Sequence, residues 1–274
     1  LMQYAETQKT RTILLIHGAG SIGAEWSNFV DKFTELGFNV IVPTLRFHQL
    51  EGIDPRIGNL SLDDYLTDLK KIIDTFNEPP IVIGHSMGGL LALKLCALNL
   101  TKMGILLTPA APEGINAISF SVLRIFIGNL FRWQFWKTPA PSRYKSARYG
   151  VLHDLSENRA KKVFKMSNSA ESGRALCEIG FPFFFNKSPS KINFSNYSCP
   201  TLLIGCGRDR ITPVSIARKL QNQLGPSSEY KEFPKFSHYI MEGEEFSEVF
   251  NERIKWIQKK QNESINNSKT RAQQ

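Results

Sequence analysis

The sequence predicts an α/β fold in which a mostly parallel, doubly wound sheet is interrupted by a helical insertion. Short apolar runs alternate with longer segments of helical periodicity up to about residue 110, and the same alternation returns near residue 200. Continuous apolar strands are typical of a parallel sheet that is covered on both faces. The region between these two parts is irregular and rich in aromatic and basic residues, which indicates an insertion.

The first region contains four predicted strands, at residues 12–16, 38–42, 81–83 and 104–108. Helical spacing of large apolar residues predicts a helix over 24–36, and Gly37 is a suitable stop for it. Ser61 is a good N-cap for a second helix through Phe76, with two aspartates in its first turn. A third helix is predicted from Leu90.

The rest of the chain divides into an insertion and a second core region. Inside the insertion, helices are predicted over 117–136 and 156–179. Strands at 201–204 and 230–233 alternate with helices at 213–224 and 244–258, and a polar, frayed end follows. The predicted units are therefore a core of residues 1–111 and 197–258, a cap or lid insertion of residues 112–196, and a polar tail of residues 259–274.

Composition limits the function classes. Hydrophobic residues make up 42% of the chain, enough for a sizeable core, yet no apolar run reaches the roughly 18 residues that a membrane span needs. The first ten residues lack the basic and apolar regions of a signal peptide. The four cysteines form no C-x-x-C pair, so no zinc or redox motif is present and a reduced, cytoplasmic setting is expected. They are Cys96, Cys177, Cys199 and Cys206.

The net charge of +9 is concentrated in one segment. Residues 112–191 contain 13 basic and five acidic residues, a local charge of +8. Such a field attracts an anionic substrate or an anionic lipid surface, although a merely solvated face has the same composition. No nucleic-acid-binding motif accompanies it.

A glycine-flanked serine lies between a predicted strand and a predicted helix. The pattern is Gly84-x-Ser86-x-Gly88, with the apolar run 81–83 before it and a helical run from Leu90 after it. A serine at a strained strand-to-helix turn needs small neighbours, because the backbone passes close by. The N-terminus of the following helix favours negative charge that develops at the serine.

Four motifs occur in one order along the chain: HGAG at 17–20, GHSMGG at 84–89, GRDRITP at 207–213 and SHYIMEG at 237–243. With them the chain resembles an α/β-hydrolase with an inserted cap, of the esterase, lipase and monoacylglycerol-lipase kind, over residues 10–258. The resemblance implies the α/β-hydrolase fold. It also implies a nucleophilic serine, an acid and a histidine in that order along the chain.

The resemblance assigns the nucleophile to Ser86, the general base to His238 and the acid that orients it to Asp209. It assigns the oxyanion donors to the backbone N–H groups of Ala19 and Met87. Neither a cofactor nor a metal is implied, because acyl transfer through serine requires neither.

Other polar residues compete for these roles. His85 is expected to pack beneath the serine turn rather than act as the base. His48 and His153 fall in loops, where a surface role is expected, and Asp154 and Glu113 compete with Asp209. Residues near the motifs and aromatic residues of the cap are candidates for the substrate pocket. They are His17, Gly18, His85, Trp133, Phe183 and Phe184.

The expected reaction is hydrolysis of a carboxylic ester with a hydrophobic acyl group by an acyl-enzyme mechanism. The same residues would serve a lactonase, a C–C hydrolase, an amidase or a cofactor-free perhydrolase. A receptor that holds a small molecule with little turnover is a further alternative. The expected partner is a small-molecule ester, with contact between the basic cap and an anionic lipid surface as a further expectation and the oligomeric state left open.

Overall fold

The described part of the chain contains eight strands and nine α-helices, as well as four short 3₁₀-helices. The structure is a computed structural model that describes residues 12–272, with side chains except those of residues 129, 130, 264, 265 and 267–272. The strands are β1 (Thr12–Ile16), β2 (Asn39–Ile41), β3 (Ile81–His85), β4 (Met103–Leu107), β5 (Pro139–Pro141), β6 (Ala170–Ser172), β7 (Thr201–Cys206) and β8 (Ser228–Phe233). The helices are α1 (Ser27–Glu35), α2 (Leu62–Ile73), α3 (Met87–Ala97), α4 (Phe120–Leu130), α5 (Tyr144–Gly150), α6 (Glu157–Ser167), α7 (Gly173–Gly180), α8 (Val214–Leu224) and α9 (Gly243–Ala272).

Six of these strands form the central sheet in the order β2-β1-β3-β4-β7-β8, and all five pairings are parallel. Alternate residues of β1 face opposite sides of it. Leu14 and Ile16 pack with α2 and α3, whereas Ile13 and Leu15 pack with α1 and α9. Burial on both faces explains the uninterrupted apolar runs, and the predicted doubly wound sheet is confirmed.

Strand register places the motif-bearing loops at one edge of the sheet. Ile16 at the end of β1 pairs with Gly84 near the end of β3, and Leu107 at the end of β4 pairs with Ile204 in β7. In a parallel sheet the carboxyl ends of all strands meet at the same edge, which is where ligands bind in this architecture. The segments after β1, β3, β7 and β8 therefore converge there.

Helix α2 begins as the sequence predicts. The Ser61 hydroxyl accepts a hydrogen bond from the Asp63 N–H at 3.2 Å, and the Asp64 carboxylate accepts one from the Ser61 N–H at 2.9 Å. This reciprocal cap satisfies donors that the first turn of a helix leaves open. A buried glutamate of the cap, Glu178, also accepts from the Leu62 N–H at 2.8 Å and the Ser61 hydroxyl at 2.9 Å. It anchors the cap to the start of α2.

The insertion between β4 and β7 holds α4 to α7 and the antiparallel pair β5–β6. The two long helices predicted there, over 117–136 and 156–179, were wrong in extent. The first is helical only over α4. The second is split into α6, β6 and α7, because Asn168 adopts an extended conformation and the Ser172 hydroxyl caps α7 through the Ala175 N–H at 3.1 Å. A short buried strand between two helices leaves no periodicity that separates it from them.

The last helix is longer than the sequence predicts. The polar segment that starts at residue 259 was expected to fray, yet α9 continues to Ala272. Ion pairs join it to β8, since Lys259 and Lys260 both contact the Glu229 carboxylate. No helix among the described residues is both long and apolar enough to cross a membrane.

Candidate active site

Ser86 occupies a strained turn between β3 and α3. Its φ of 55° and ψ of −120° lie in a region that non-glycine residues rarely adopt. Backbone hydrogen bonds hold this turn in place. The Ser86 N–H donates to the Leu107 carbonyl at 3.0 Å, and the Ser86 carbonyl accepts from the N–H groups of Leu90 and Ala110. The Ser86 side chain therefore lies at the N-terminus of α3, and its hydroxyl makes none of the hydrogen bonds that hold the turn.

Asp209 follows β7 and receives four hydrogen bonds. One oxygen accepts from the N–H groups of Ile211 and Thr212, at 2.9 and 2.8 Å. The other accepts from His238 Nδ1 at 2.7 Å and from the Thr212 hydroxyl at 2.8 Å. A carboxylate at this distance fixes the proton of His238 on Nδ1, so Nε2 is left with a lone pair. The structure thus joins two residues that lie 29 positions apart.

His85 connects this pair to the serine turn. It is buried, its Nε2 donates to the His238 carbonyl at 3.0 Å, and the two rings lie 4.5 Å apart between centroids. Burial lowers the pKa of His85 well below its ordinary value, so the ring is neutral. Its position matches the expected packing beneath the turn. Among the described residues, neither the Ser86 hydroxyl nor His238 Nε2 has a hydrogen-bond partner, and they are not hydrogen-bonded to each other. Both are therefore available to bind a ligand.

In the loop after β1, carboxylates accept hydrogen bonds from the N–H groups on either side of Ala19. The Gly18 N–H donates to the Glu25 carboxylate at 3.1 Å, and the Gly20 N–H donates to the Glu171 carboxylate at 3.0 Å. Between them, the Ala19 N–H has no acceptor in the described part of the chain. The Met87 N–H belongs to the first turn of α3, whose donors have no partner within the helix.

A cavity of about 930 Å³, which includes the space at its mouth, lies over these groups. Ala19, Ser86 and Met87 form part of its wall, as does Thr212 beside Asp209. No charged residue lines it. The remaining wall is mostly apolar. The segments after β4 and β7 and helix α8 contribute Ala110, Ala111, Ile211 and Ile216, and the cap contributes Ala117, Ile118, Val122, Leu123, Phe126, Phe135, Ala140, Gly173, Leu176, Cys177, Ile179, Gly180 and Phe181.

A second cavity of about 700 Å³ adjoins the first. The two share Ala19, Phe126, Ala140, Leu176 and Ile211 in their walls. The second is more polar, because Ser142, Arg143, Ser146 and Glu171 also line it. The apolar and the polar space therefore meet at the loop that follows β1.

The expected pocket residues do not line either cavity. His17, Gly18 and His85 are buried beneath the site. Trp133, Phe183 and Phe184 point outward, with 84%, 72% and 75% of their surfaces exposed. Their aromatic character is shared by Phe126, Phe135 and Phe181, which do line the apolar cavity.

His17 supports the backbone next to the site and does not line either cavity. Its Nε2 accepts from the Leu45 N–H at 3.0 Å, so the proton is on Nδ1, which donates to the Gly18 carbonyl at 2.9 Å. Burial, with the neighbouring His48 acting in the same direction, lowers the pKa of His17 to about 3. This neutral ring supports the loop from below.

His48 was expected at the surface, and that prediction was wrong. Its side chain is fully buried and contacts Glu171 of the cap at 3.0 Å. The loop that carries it folds inward because a partner 123 residues away accepts its hydrogen bond. No role was predicted for three further polar residues at the site, Glu171, Thr212 and Glu25. Of these, only Thr212 carried a signal, because it lies in the segment GRDRITP.

The described residues contain no group of three or more His, Cys, Asp or Glu side chains that could hold a metal ion. What they do contain is a free hydroxyl, an imidazole with an available lone pair and unpaired N–H donors around an apolar space. The sequence profile of the alpha/beta hydrolase family matches residues 13–252. This chain belongs to that family.

Known proteins are similar to part of this sequence or to its whole fold. The AB hydrolase superfamily protein YfhM of Bacillus subtilis (strain 168) is 31% identical over 86 residues, which cover 31% of this chain and 30% of that protein. The match thus spans less than a third of that relative's length. A Paleococcus ferrophilus monoacylglycerol lipase superposes with a TM-score of 0.67 at 22% identity, covering 89% of this chain and 93% of the lipase.

The methylesterase MES16 from Arabidopsis gives a TM-score of 0.68 at 14% identity, with coverage of 91% of this chain and 99% of that one. At these identities the likeness establishes the fold.

The acids that compete with Asp209 lie elsewhere. The Asp154 carboxylate contacts Arg208 at 2.6 Å and His153 at 3.6 Å. Glu113 is partly buried, and one of its oxygens has no hydrogen-bond partner in the described part of the chain. Neither makes a hydrogen bond to His238, whereas Asp209 does.

Proposed function

We propose that this hydrolase cleaves carboxylic esters with a hydrophobic acyl group through a covalent acyl intermediate on Ser86. The observation that carries the proposal is the place of Ser86 in the wall of an apolar cavity that has no charged lining residue. Apolar cavities with a few polar groups at one point are typical of sites for small hydrophobic ligands. The ester carbonyl would lie at that point.

In the proposed reaction, the Ser86 hydroxyl attacks the ester carbonyl carbon while His238 Nε2 takes its proton. The bond between that carbon and the alcohol oxygen then breaks, and His238 returns the proton to the departing oxygen. Water attacks the acyl–Ser86 ester with His238 again as the base, which releases the carboxylic acid. Asp209 holds the tautomer and stabilises the imidazolium, roles that its 2.7 Å hydrogen bond to Nδ1 supports.

The N–H groups of Ala19 and Met87 would bind the oxyanion of the tetrahedral intermediate. Two facts support this role. Both residues line the cavity beside Ser86, and the Ala19 N–H lacks an acceptor among the described residues. Donors that are already in place stabilise developing charge without reorganisation.

The two cavities suggest where the two parts of an ester would bind. The acyl chain would occupy the apolar cavity and the alcohol part the polar one. In the latter, Arg143 is an exposed residue with no ion-pair partner in the described part of the chain. Glu171 already accepts four hydrogen bonds, so it does not compete for that cation. We therefore propose an anionic or strongly polar alcohol part.

The outer face of the cap supports contact with an anionic lipid surface. The five most exposed aromatic side chains of the described part all lie in the cap: Phe120, Phe131, Trp133, Phe183 and Phe184. They belong to the same segments that line the apolar cavity, and the surrounding insertion carries a charge of +8. Aromatic side chains insert at a membrane interface while basic residues attract anionic lipids.

The substrate class is tested with p-nitrophenyl esters from acetyl to palmitoyl. We expect kcat/KM to rise with chain length by at least about tenfold, because each buried methylene contributes about 0.8 kcal/mol. Ala117→Phe, which fills part of the apolar cavity, is expected to remove this gain while leaving the acetyl ester unaffected. Equal rates on acetyl and long-chain esters, or faster turnover of lactones or amides in the same panel, would contradict the proposal.

A second arm of the experiment concerns the alcohol part and the surface. Long-chain monoacyl esters with an anionic head group are expected to react faster than neutral ones, and Arg143→Gln should abolish the difference. Trp133→Ser is expected to remove the preference for substrate in anionic over neutral vesicles but not the rate on the soluble acetyl ester. If both variants leave these ratios unchanged, the polar cavity and the cap face have other roles.

A further inference from the structure

Glu171 reaches from the cap to the loop of residues 17–20, here called the oxyanion loop. It lies in β6 with 3% of its surface exposed. Its carboxylate accepts from the Gly20 N–H at 3.0 Å, His48 Nε2 at 3.0 Å, the Tyr65 hydroxyl at 2.8 Å and its neighbour's N–H at 2.7 Å. Four donors occupy both lone-pair sites of each oxygen, which requires the ionised form.

The partner of this buried anion is a buried cation. His48 Nδ1 lies 3.2 and 3.3 Å from the carbonyl oxygens of Leu45 and Arg46, so it must carry a proton. Its Nε2 faces the Glu171 carboxylate and must donate as well, which makes the ring an imidazolium. Burial alone would lower the pKa of His48, but the charge and hydrogen bond of Glu171 raise it overall. Burial would likewise raise the pKa of Glu171, and His48 lowers it overall.

The cap holds Gly20 on both sides of its backbone. The Ser169 N–H donates to the Gly20 carbonyl at 2.8 Å, while Glu171 accepts from the Gly20 N–H. Gly20 itself has a φ of 67°, a conformation that favours glycine. With Gly18 bound to Glu25, both neighbours of Ala19 are fixed by carboxylates, and the direction of the Ala19 N–H follows from them.

We propose that Glu171, paired with His48, is a positioning residue that holds the oxyanion loop so that the Ala19 N–H faces the cavity. This inference rests on the proposed function, since it gives that N–H its role. The cap would then contribute to the catalytic geometry as well as to the binding space. If the cap opened at β6, Gly20 would lose its hydrogen bonds to the cap, and the Ala19 N–H would lose its fixed direction at the same time.

The test compares Glu171→Met with Glu178→Met. Glu178 is the matched control, because it is another fully buried cap glutamate that binds a core N–H group, yet it contacts α2 and not the oxyanion loop. We expect Glu171→Met to lower kcat about 100-fold with KM changed less than about twofold, as for loss of an oxyanion donor. A trifluoromethyl ketone that mimics the tetrahedral intermediate should bind correspondingly more weakly. Glu178→Met should change the stability of the protein but neither kcat nor the affinity for the trifluoromethyl ketone.

Hydrogen exchange of the peptide that contains residues 17–20 gives a readout that needs no substrate. Faster exchange is expected in the Glu171 variant and not in the Glu178 variant. If Glu171→Met does not fold, Glu171→Gln replaces it, with an expected loss of about tenfold because one terminal atom still accepts. Equal exchange in both variants, or loosened exchange with unchanged kcat, would overturn the positioning role. A wild-type protein whose Ser86 does not react with a fluorophosphonate would instead overturn the proposed function.

Discussion

Replacement of Asp209 by Asn is expected to lower kcat for ester hydrolysis by about 10⁴-fold while the protein stays folded. Asn keeps the acceptor for the N–H groups of Ile211 and Thr212, so its amide nitrogen is turned toward His238 Nδ1. An amide N–H there forces Nδ1 to accept, and the ring proton moves to Nε2. That nitrogen then has no lone pair with which to take the proton of Ser86.

Steady-state kinetics on a long-chain ester, with thermal unfolding measured alongside, checks this expectation. Asp154→Asn and Glu113→Gln are the controls, because neither acid bonds to His238 in the structure. Both are expected to retain kcat within about twofold. A large loss in either control, together with an active Asp209→Asn, would transfer the role of the acid to that residue.

Gly84→Ala is expected to abolish the folded protein. A Cβ atom at this position would overlap the carbonyl group of Gly88, which lies directly beside Gly84 in the turn that carries Ser86. Neither side of that contact can move, because Gly88 in turn packs against the carbonyl groups of Ile16 and His17. Relief requires displacement of β3 or α3 from the sheet, at a cost of more than about 4 kcal/mol.

Urea unfolding monitored by circular dichroism measures this effect. Gly180→Ala serves as the matched control, because an added Cβ there meets nothing within 4 Å. It is expected to leave the free energy of unfolding unchanged or to raise it by up to about 1 kcal/mol, as alanine favours a helix. A Gly84→Ala protein as stable as the wild type would show that the turn is not closely packed.

Local patterns account for what the sequence predicted well. The doubly wound sheet follows from continuous apolar strands, and the serine turn follows from two glycines between a strand and a helix. Asp209 and His238 each come after a late strand, and parallel register brings such positions to one edge. Chain order thus predicts that the two residues lie at the same edge, and the resemblance to α/β-hydrolases supplied their pairing.

Long-range contacts account for what the sequence did not predict. Glu171 and His48 are separated by 123 residues, and neither belongs to a motif. Aromatic content placed Trp133, Phe183 and Phe184 in the pocket, whereas the structure turns them outward and uses Phe126, Phe135 and Phe181. All of these residues except Phe126 lie outside the α-helices of the cap, in segments without a regular period, so the sequence pattern does not indicate which of them point inward.

The most direct test of the account is reaction of the wild-type protein with a fluorophosphonate, followed by mass-spectrometric mapping of the adduct. A phosphonate ester forms only on a hydroxyl that is activated by a base. We expect one adduct per chain on the peptide that contains Ser86, and none after Ser86→Ala. His238→Ala should slow labelling at least about 1000-fold. A wild-type protein that stays unlabelled at Ser86 would contradict the nucleophile assignment and favour a binding protein with this fold.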